Sequence, residues 1–223
     1  MPPSARASAP VDLTGNWVAV IGEDWRWRMV TPAKGDYSSI PITQAAKDAA
    51  DRWDPARDTA AGEQCRSYGA PGLMRAPTRL RVSWQDDATL KVESDYGQQT
   101  RLLRFAPGTA APGPASWQGH SVASWETPAR GRGRAAGPTF GNLKVVTTNL
   151  RPGYLRKNGV PYSSNTTFTE YWDLFGGAQN GLLVVTSIVR DPANLQIDWI
   201  TSLNFRKEPD GSKWDPTPCS ASW

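Results

Sequence analysis

Arg79-Leu80-Arg81-Val82-Ser83-Trp84 alternates apolar with polar side chains, as do Thr89-Leu90-Lys91-Val92-Glu93 and the run 100–105. Asp86-Asp87 and Asp95-Tyr96-Gly97 separate the three. Alternation with a period of two gives each run one core face and one solvent face. Connections this short join antiparallel neighbours. The stretch therefore predicts three consecutive antiparallel strands, the wall of a barrel or sandwich. The same pattern recurs at 17–21, 25–30, 116–126, 143–150, 166–175, 182–189 and 199–206. About nine or ten strands result, and the expected fold is all-β.

One helix interrupts the pattern. Thr43 is an N-cap after Pro41-Ile42, and Gln44-Ala45-Ala46-Lys47-Asp48-Ala49-Ala50 carries the helix to about Trp53, before Pro55 ends it. It is expected as a short insertion after the second strand, Trp25-Arg26-Trp27-Arg28-Met29-Val30, whose alternation puts tryptophans on one face and arginines on the other. Polar or Pro/Gly-rich loops are expected from there through Cys65 to Pro77, at 106–115 and at 128–138.

The 223 residues suit one domain, 11–223, behind a small, Pro-rich lead at 1–10 expected to be disordered. The lead has no apolar signal-peptide core, and no segment reaches the roughly 18 apolar residues of a membrane span. An Ala/Ser/Pro lead before a folded domain, with two cysteines, Cys65 and Cys219, suited to one disulfide, points to a periplasmic or secreted protein.

Gly15-Asn16-Trp17, entering the first strand after Asp12-Leu13-Thr14, resembles the opening signature of lipocalin-type (calycin) barrels. The resemblance implies an antiparallel barrel of about 8–10 strands holding a small ligand. It also implies that Trp17 closes one end against a late arginine, here Arg206. The chain departs from that family in its helical insertion and in lacking an amphipathic helix after the last strand. The stretches 12–17, 62–69 and 150–162 are also similar to exported bacterial proteins of unknown function, which implies a compartment and no catalytic residue.

Several chemistries are disfavoured. The net charge is +4, and Arg130-Gly131-Arg132-Gly133-Arg134 is a single cationic cluster without interleaved aromatics, so no nucleic-acid partner is expected. His120 is the only histidine, and no cysteine pair has ligand spacing, so no metal is expected. No Gly-x-Ser-x-Gly elbow and no phosphate-cradling glycine loop is present, so neither a serine triad nor a nucleotide cofactor is expected.

What remains are polar groups beside aromatic ones. The 166–175 strand puts Phe168, Glu170, Trp172 and Leu174 on one face and Thr167, Thr169, Tyr171, Asp173 and Phe175 on the other, so either inward face brings a carboxylate. A carboxylate desolvated among rings is a general base. Glu170 or Asp173 is the candidate base, with Tyr154, Tyr162 or Arg101 stabilising oxyanion charge. Tyr154 and Tyr162 flank the Asn158-Gly159 turn and are expected at a rim. Trp25, Trp27, Arg75, Tyr171, Trp172, Arg156 and His120 are candidate ligand contacts. The expected function is a cofactor-independent lyase or isomerase acting on a small apolar or aromatic compound. The alternatives are a non-catalytic carrier or sensor of such a molecule, and carbohydrate binding through exposed Trp25, Trp117 and Trp125.

Overall fold

The computed structural model describes residues 3–105, 111, 113–127, 141–176 and 180–221. The Arg130 to Arg134 run lies outside the described residues. Nine strands close a barrel: β1 (Gly15–Val20), β2 (Arg79–Asp86), β3 (Thr89–Ser94), β4 (Gln99–Arg104), β5 (His120–Glu126), β6 (Asn142–Thr148), β9 (Thr167–Phe175), β10 (Leu182–Arg190) and β11 (Trp199–Glu208). Around the wall the order is β1, β11, β10, β9, β6, β5, β4, β3, β2. Every pairing is antiparallel except β4 with β5, where Leu103 and Arg104 lie beside Ser121 and Val122 in parallel. The remaining strands, β7 (Gly153–Arg156) and β8 (Val160–Tyr162), form a separate hairpin. The all-β barrel expected from the alternation is the observed fold, compatible with a calycin-like architecture.

Alternation fills the interior. Leu80 and Val82, Leu90 and Val92, Leu103, Leu143 and Val145, Trp172, Leu183 and Val185, Leu203 and Phe205 point inward from seven strands and pack with Trp17. On β9 the inward face is therefore the one carrying Glu170.

At the end where β1 begins, Trp17 is completely buried and its Nε1 donates to the Leu13 carbonyl at 3.0 Å. The cation over its ring is Lys207, whose Nζ lies 4.6 Å from the centroid and donates to the Thr14 carbonyl. Arg206, expected in that role, points outward because the period of two gives the inward position to Lys207, the residue directly opposite Trp17. Gly15 has φ +119°, and a Cβ there would meet Lys207 Cε and Nζ at 2.8 Å. The glycine of the Gly-x-Trp pattern thus leaves room for the lysine that covers the tryptophan. Trp84, Phe105 and Trp125 stack nearby, and Trp125 Nε1 donates to Ala5 O at 2.8 Å. Residues 3–10, read from sequence as a structureless lead, follow turns against this end, with Arg6 N also donating to Asp87 O at 3.1 Å.

The long segment between β1 and β2 covers the opposite end. It contains four short α-helices, α1 (Trp25–Arg28), α2 (Gln44–Asp51), α3 (Pro55–Ala60) and α4 (Ala70–Leu73), and a 3₁₀ turn at Gln64–Tyr68. Helix α2 is the expected one, with the Thr43 side chain accepting from Ala46 N at 3.2 Å. The second strand expected at 25–30 is instead the helical turn α1. The barrel closes β1 onto β2 and β11, so no free edge is left for another strand to pair with. Ile40, Ile42, Ala46, Leu155, Val160, Tyr162, Phe168 and Trp199 form a second core between this cover, the hairpin and the barrel mouth. Cys65 and Cys219 form a disulfide across 154 residues, tying the 3₁₀ turn to the C-terminal tail. On the chain-entropy account such a loop closure stabilises the fold by about 5 kcal/mol.

Gly15→Ala forces an L residue into the left-handed region and displaces Lys207 from Trp17. Urea denaturation should show a loss of about 1–3 kcal/mol. An unchanged midpoint would mean that neither the φ angle nor the lysine seat matters.

Candidate functional site

Three arginines from segments far apart in sequence converge at the covered mouth. Arg28 closes α1, Arg75 follows α4, and Arg156 ends β7; they are 2%, 7% and 5% exposed. With Trp27, Ser67, Leu155 and Lys157 they line one narrow cavity of about 20 Å³. That space takes a water-sized group and excludes a ring.

The cover itself supplies partial counter-charge. Arg75 Nη2 donates to Asp24 Oδ2 at 2.8 Å, and its guanidinium lies 4.7 Å from the centre of the Trp199 ring. Arg28 Nε donates to the Arg75 carbonyl at 2.8 Å, and its Nη1 pairs with Glu23. Arg156 Nη2 donates to Ser38 O at 2.9 Å and Ser39 Oγ at 3.0 Å. Trp27 lies between two cations, Arg26 at 4.8 Å and Arg156 at 5.1 Å, with its Nε1 donating to Asp36 at 3.0 Å. The hairpin is fastened by buried Asn158, whose Nδ2 donates to Ala33 O and Asp36 O, both at 3.0 Å.

The charges do not balance. Among the described residues, Arg26, Arg28, Arg75, Arg156 and Lys157 meet three carboxylates, Glu23, Asp24 and Asp36. Arg28 Nη2 and Arg75 Nη1 are buried with no hydrogen-bond partner, and a buried unsatisfied donor is costly. Burial and then the charge of Arg75 pull Arg28 and Arg156 down to about 10, and burial lowers Arg75 as well, so all three remain cations at neutral pH. Burial pushes Lys157 down to about 7; its Nζ donates to the Tyr96 hydroxyl at 2.5 Å.

Of the residues singled out from sequence, Trp27, Arg75 and Arg156 come together here. Trp25 is on the same helical turn but 63% exposed. Glu170 lies inside the barrel, fully buried, with both carboxylate oxygens accepting from Arg101 at 2.5 and 3.1 Å. Thr147 and Ser121 complete this polar layer. Glu170 is therefore matched by a guanidinium, in contrast to the lone carboxylate among rings that the alternation suggested.

Asp173 and Tyr171 project from the outer face of β9, Tyr171 toward Lys144. Trp172 is in the barrel core, and His120 is buried on β5 without lining the cavity. Tyr154 and Tyr162 do not form an exposed rim. Tyr154 is buried and donates to Asp58 Oδ2 at 2.9 Å, and Tyr162 is inside the second core, because the hairpin folds down onto the mouth. Burial raises the pKa of both phenols. Trp125 is turned into the opposite barrel end and Trp117 is stacked under Arg151, so with Trp25 they make no common flat surface.

Arg28 and Lys157 were not singled out as contacts. Lys157 lies directly before the Asn158-Gly159 turn, and nothing in the local pattern marks it as a contact.

Larger cavities open on the surface, one of about 380 Å³ beside α3 and one of about 550 Å³ beside α2. In the first the charges are even in number, Arg52, Arg57 and Arg66 against Asp54, Asp58 and Glu63; Arg66 pairs with Asp58 at 3.0 Å, and Tyr154 donates to the same carboxylate. The arginine cavity is smaller but gathers more cations than carboxylates, so chemistry favours it over size. Neither family models, curated proteins nor solved structures provide a match to this chain.

Glu170→Gln leaves the Arg101 charge buried without its partner and should cost about 3–5 kcal/mol in urea denaturation. The double variant Arg101→Met, Glu170→Leu should recover most of that loss. Failure of the double variant to recover would show that the pair is needed for more than mutual neutralisation.

Proposed function

We propose that this protein is an exported, calycin-like small-molecule-binding barrel that takes a compound with a flat apolar body and an anionic head, a carboxylate or phosphate. The observation that carries this reading is the convergence of Arg28, Arg75 and Arg156, all nine-tenths or more buried, on one cavity with an excess of positive charge. Guanidinium forks match the two oxygens of a carboxylate or phosphate, and charge-assisted bonds strengthen away from water. Trp27, already flanked by two cations, offers its ring at the edge of the cavity to the apolar body. The packed core leaves the barrel interior to side chains, which supports binding at the covered mouth over a ligand within the barrel. The disulfide agrees with export to an oxidising compartment.

Tryptophan fluorescence titrated with benzoate, phenyl phosphate and benzyl alcohol tests the reading. One or both anions should quench and the alcohol should not, and the affinity should fall with added salt. Arg75→Met and Arg156→Met should each weaken the anion about tenfold or more, equivalent to about 1.4 kcal/mol. Near-UV circular dichroism of each variant separates this loss from unfolding, and Arg156→Lys, which keeps the charge but loses the fork, should fall between. Equal quenching by benzyl alcohol, or folded arginine variants with unchanged affinity, would overturn the anion assignment.

A further inference from the structure

We propose that Lys157 is a covalent nucleophile of this site, forming an imine with the carbonyl carbon of an oxo acid or aldehyde acid whose anionic group rests on the arginines. The inference builds on the anion-binding reading above and adds a reaction to it. Lys157 follows Arg156 directly and lines the same cavity, and in the proposed complex a carbonyl one or two bonds from a bound carboxylate comes within reach of its amine. Its Nζ is 2.5 Å from the Tyr96 hydroxyl and 4.6 Å from the Tyr96 ring centre, which places an acid–base group beside the nitrogen. Tyr96 packs in turn on Tyr68, ring centres 5.2 Å apart.

The chemistry balances without a co-reactant. The neutral amine's lone pair attacks the carbonyl carbon, and the carbon–oxygen π pair moves to oxygen. One nitrogen proton passes to that oxygen to give the carbinolamine; its hydroxyl then leaves with a proton from the Tyr96 phenol, and the second nitrogen proton returns to the phenolate. Both amine hydrogens and the carbonyl oxygen depart as one water, leaving a carbon–nitrogen double bond. Burial lowers the Lys157 pKa to about 7, so much of the amine is neutral near pH 7; it raises that of Tyr96, so the phenol is protonated there but is a weaker acid than a free tyrosine. The Tyr96 hydroxyl and ring are beside the amine, Tyr68 packs behind Tyr96, and Arg28, Arg75 and Arg156 line the same cavity as Lys157; it is burial that lowers its pKa.

Reductive trapping tests this. The full chain is incubated with sodium cyanoborohydride and either glyoxylate, which has the carboxylate, or propanal, which lacks it, and the labelled lysine is found by peptide mass mapping. Seven lysines compete. Both probes should label Lys157 ahead of the other six, with labelling rising through about pH 7 as the amine loses its proton, and glyoxylate should be the faster. Lys157→Arg, which has no imine-forming amine, should abolish the preferred label while near-UV circular dichroism shows the fold retained. Propanal labelling of Lys157 without any advantage for glyoxylate would uphold the nucleophile and overturn the arginine-bound anion. Labelling of Lys157 no faster than that of the exposed lysines, by both probes, would overturn the nucleophile whatever the fluorescence titrations show.

Discussion

The buried Arg101–Glu170 pair sets the terms for the rest of this fold. Two opposite charges, both essentially without solvent contact, sit across the barrel from one another on β4 and β9. Desolvating two ions costs several kcal/mol each, and only close, bidentate geometry returns it. The strands that carry them must therefore keep their registers, since a one-residue slip of either would turn one charge outward and strand the other. Thr147, Ser121 and the Ser187–Thr201 hydroxyl pair add polar contacts at this level of the barrel. One apolar core lies on each side, the barrel core toward Trp17 and the cover core toward Tyr162 and Trp199. The barrel is thus a filled scaffold, and the proposed ligand site falls at the covered mouth.

Strand positions were readable because alternation is a local signal. Each barrel strand from β2 onward buries alternate residues, and its sequence states that period directly. The Trp25 to Arg28 stretch carries the same alternation and folds as a helical turn. Alternation says which side chains share a face, but pairing requires a free edge, and closure of β1 on β2 and β11 removes it. Closure is a property of the whole chain and leaves no mark on six residues. The Trp17 cation has a similar lesson: Arg206 and Lys207 are adjacent cations, and only the β1–β11 register decides which one faces inward.

The site was legible in fragments. Trp27, Arg75 and Arg156 stood out from sequence as an aromatic residue and two loop arginines able to meet a ligand, and they do share a cavity. Arg28 looked like the solvent face of a strand, and its burial follows from α1 folding onto Arg75. Glu170 was readable as an inward carboxylate, but its partner is 69 residues away in sequence. Periodicity names inward residues on each strand and does not say which of them meet across a barrel.

The cover also shapes what the arginines can bind. Asp24, at φ 53° in the left-handed region, and Glu23 hold Arg75 and Arg28. A carboxylate or phosphate entering the cavity must compete with these tethered carboxylates or use the orphaned Nη atoms beside them. Its affinity is a difference between two sets of charge-assisted bonds, so a monoanion that displaces one internal carboxylate gains less than the contacts alone suggest. A dianion carries more charge into a region where positive groups already outnumber negative ones. On the proposed reading the electrostatics therefore favour a dianion such as phosphate over a carboxylate at the head-group position, while the planar fork of each arginine accepts either.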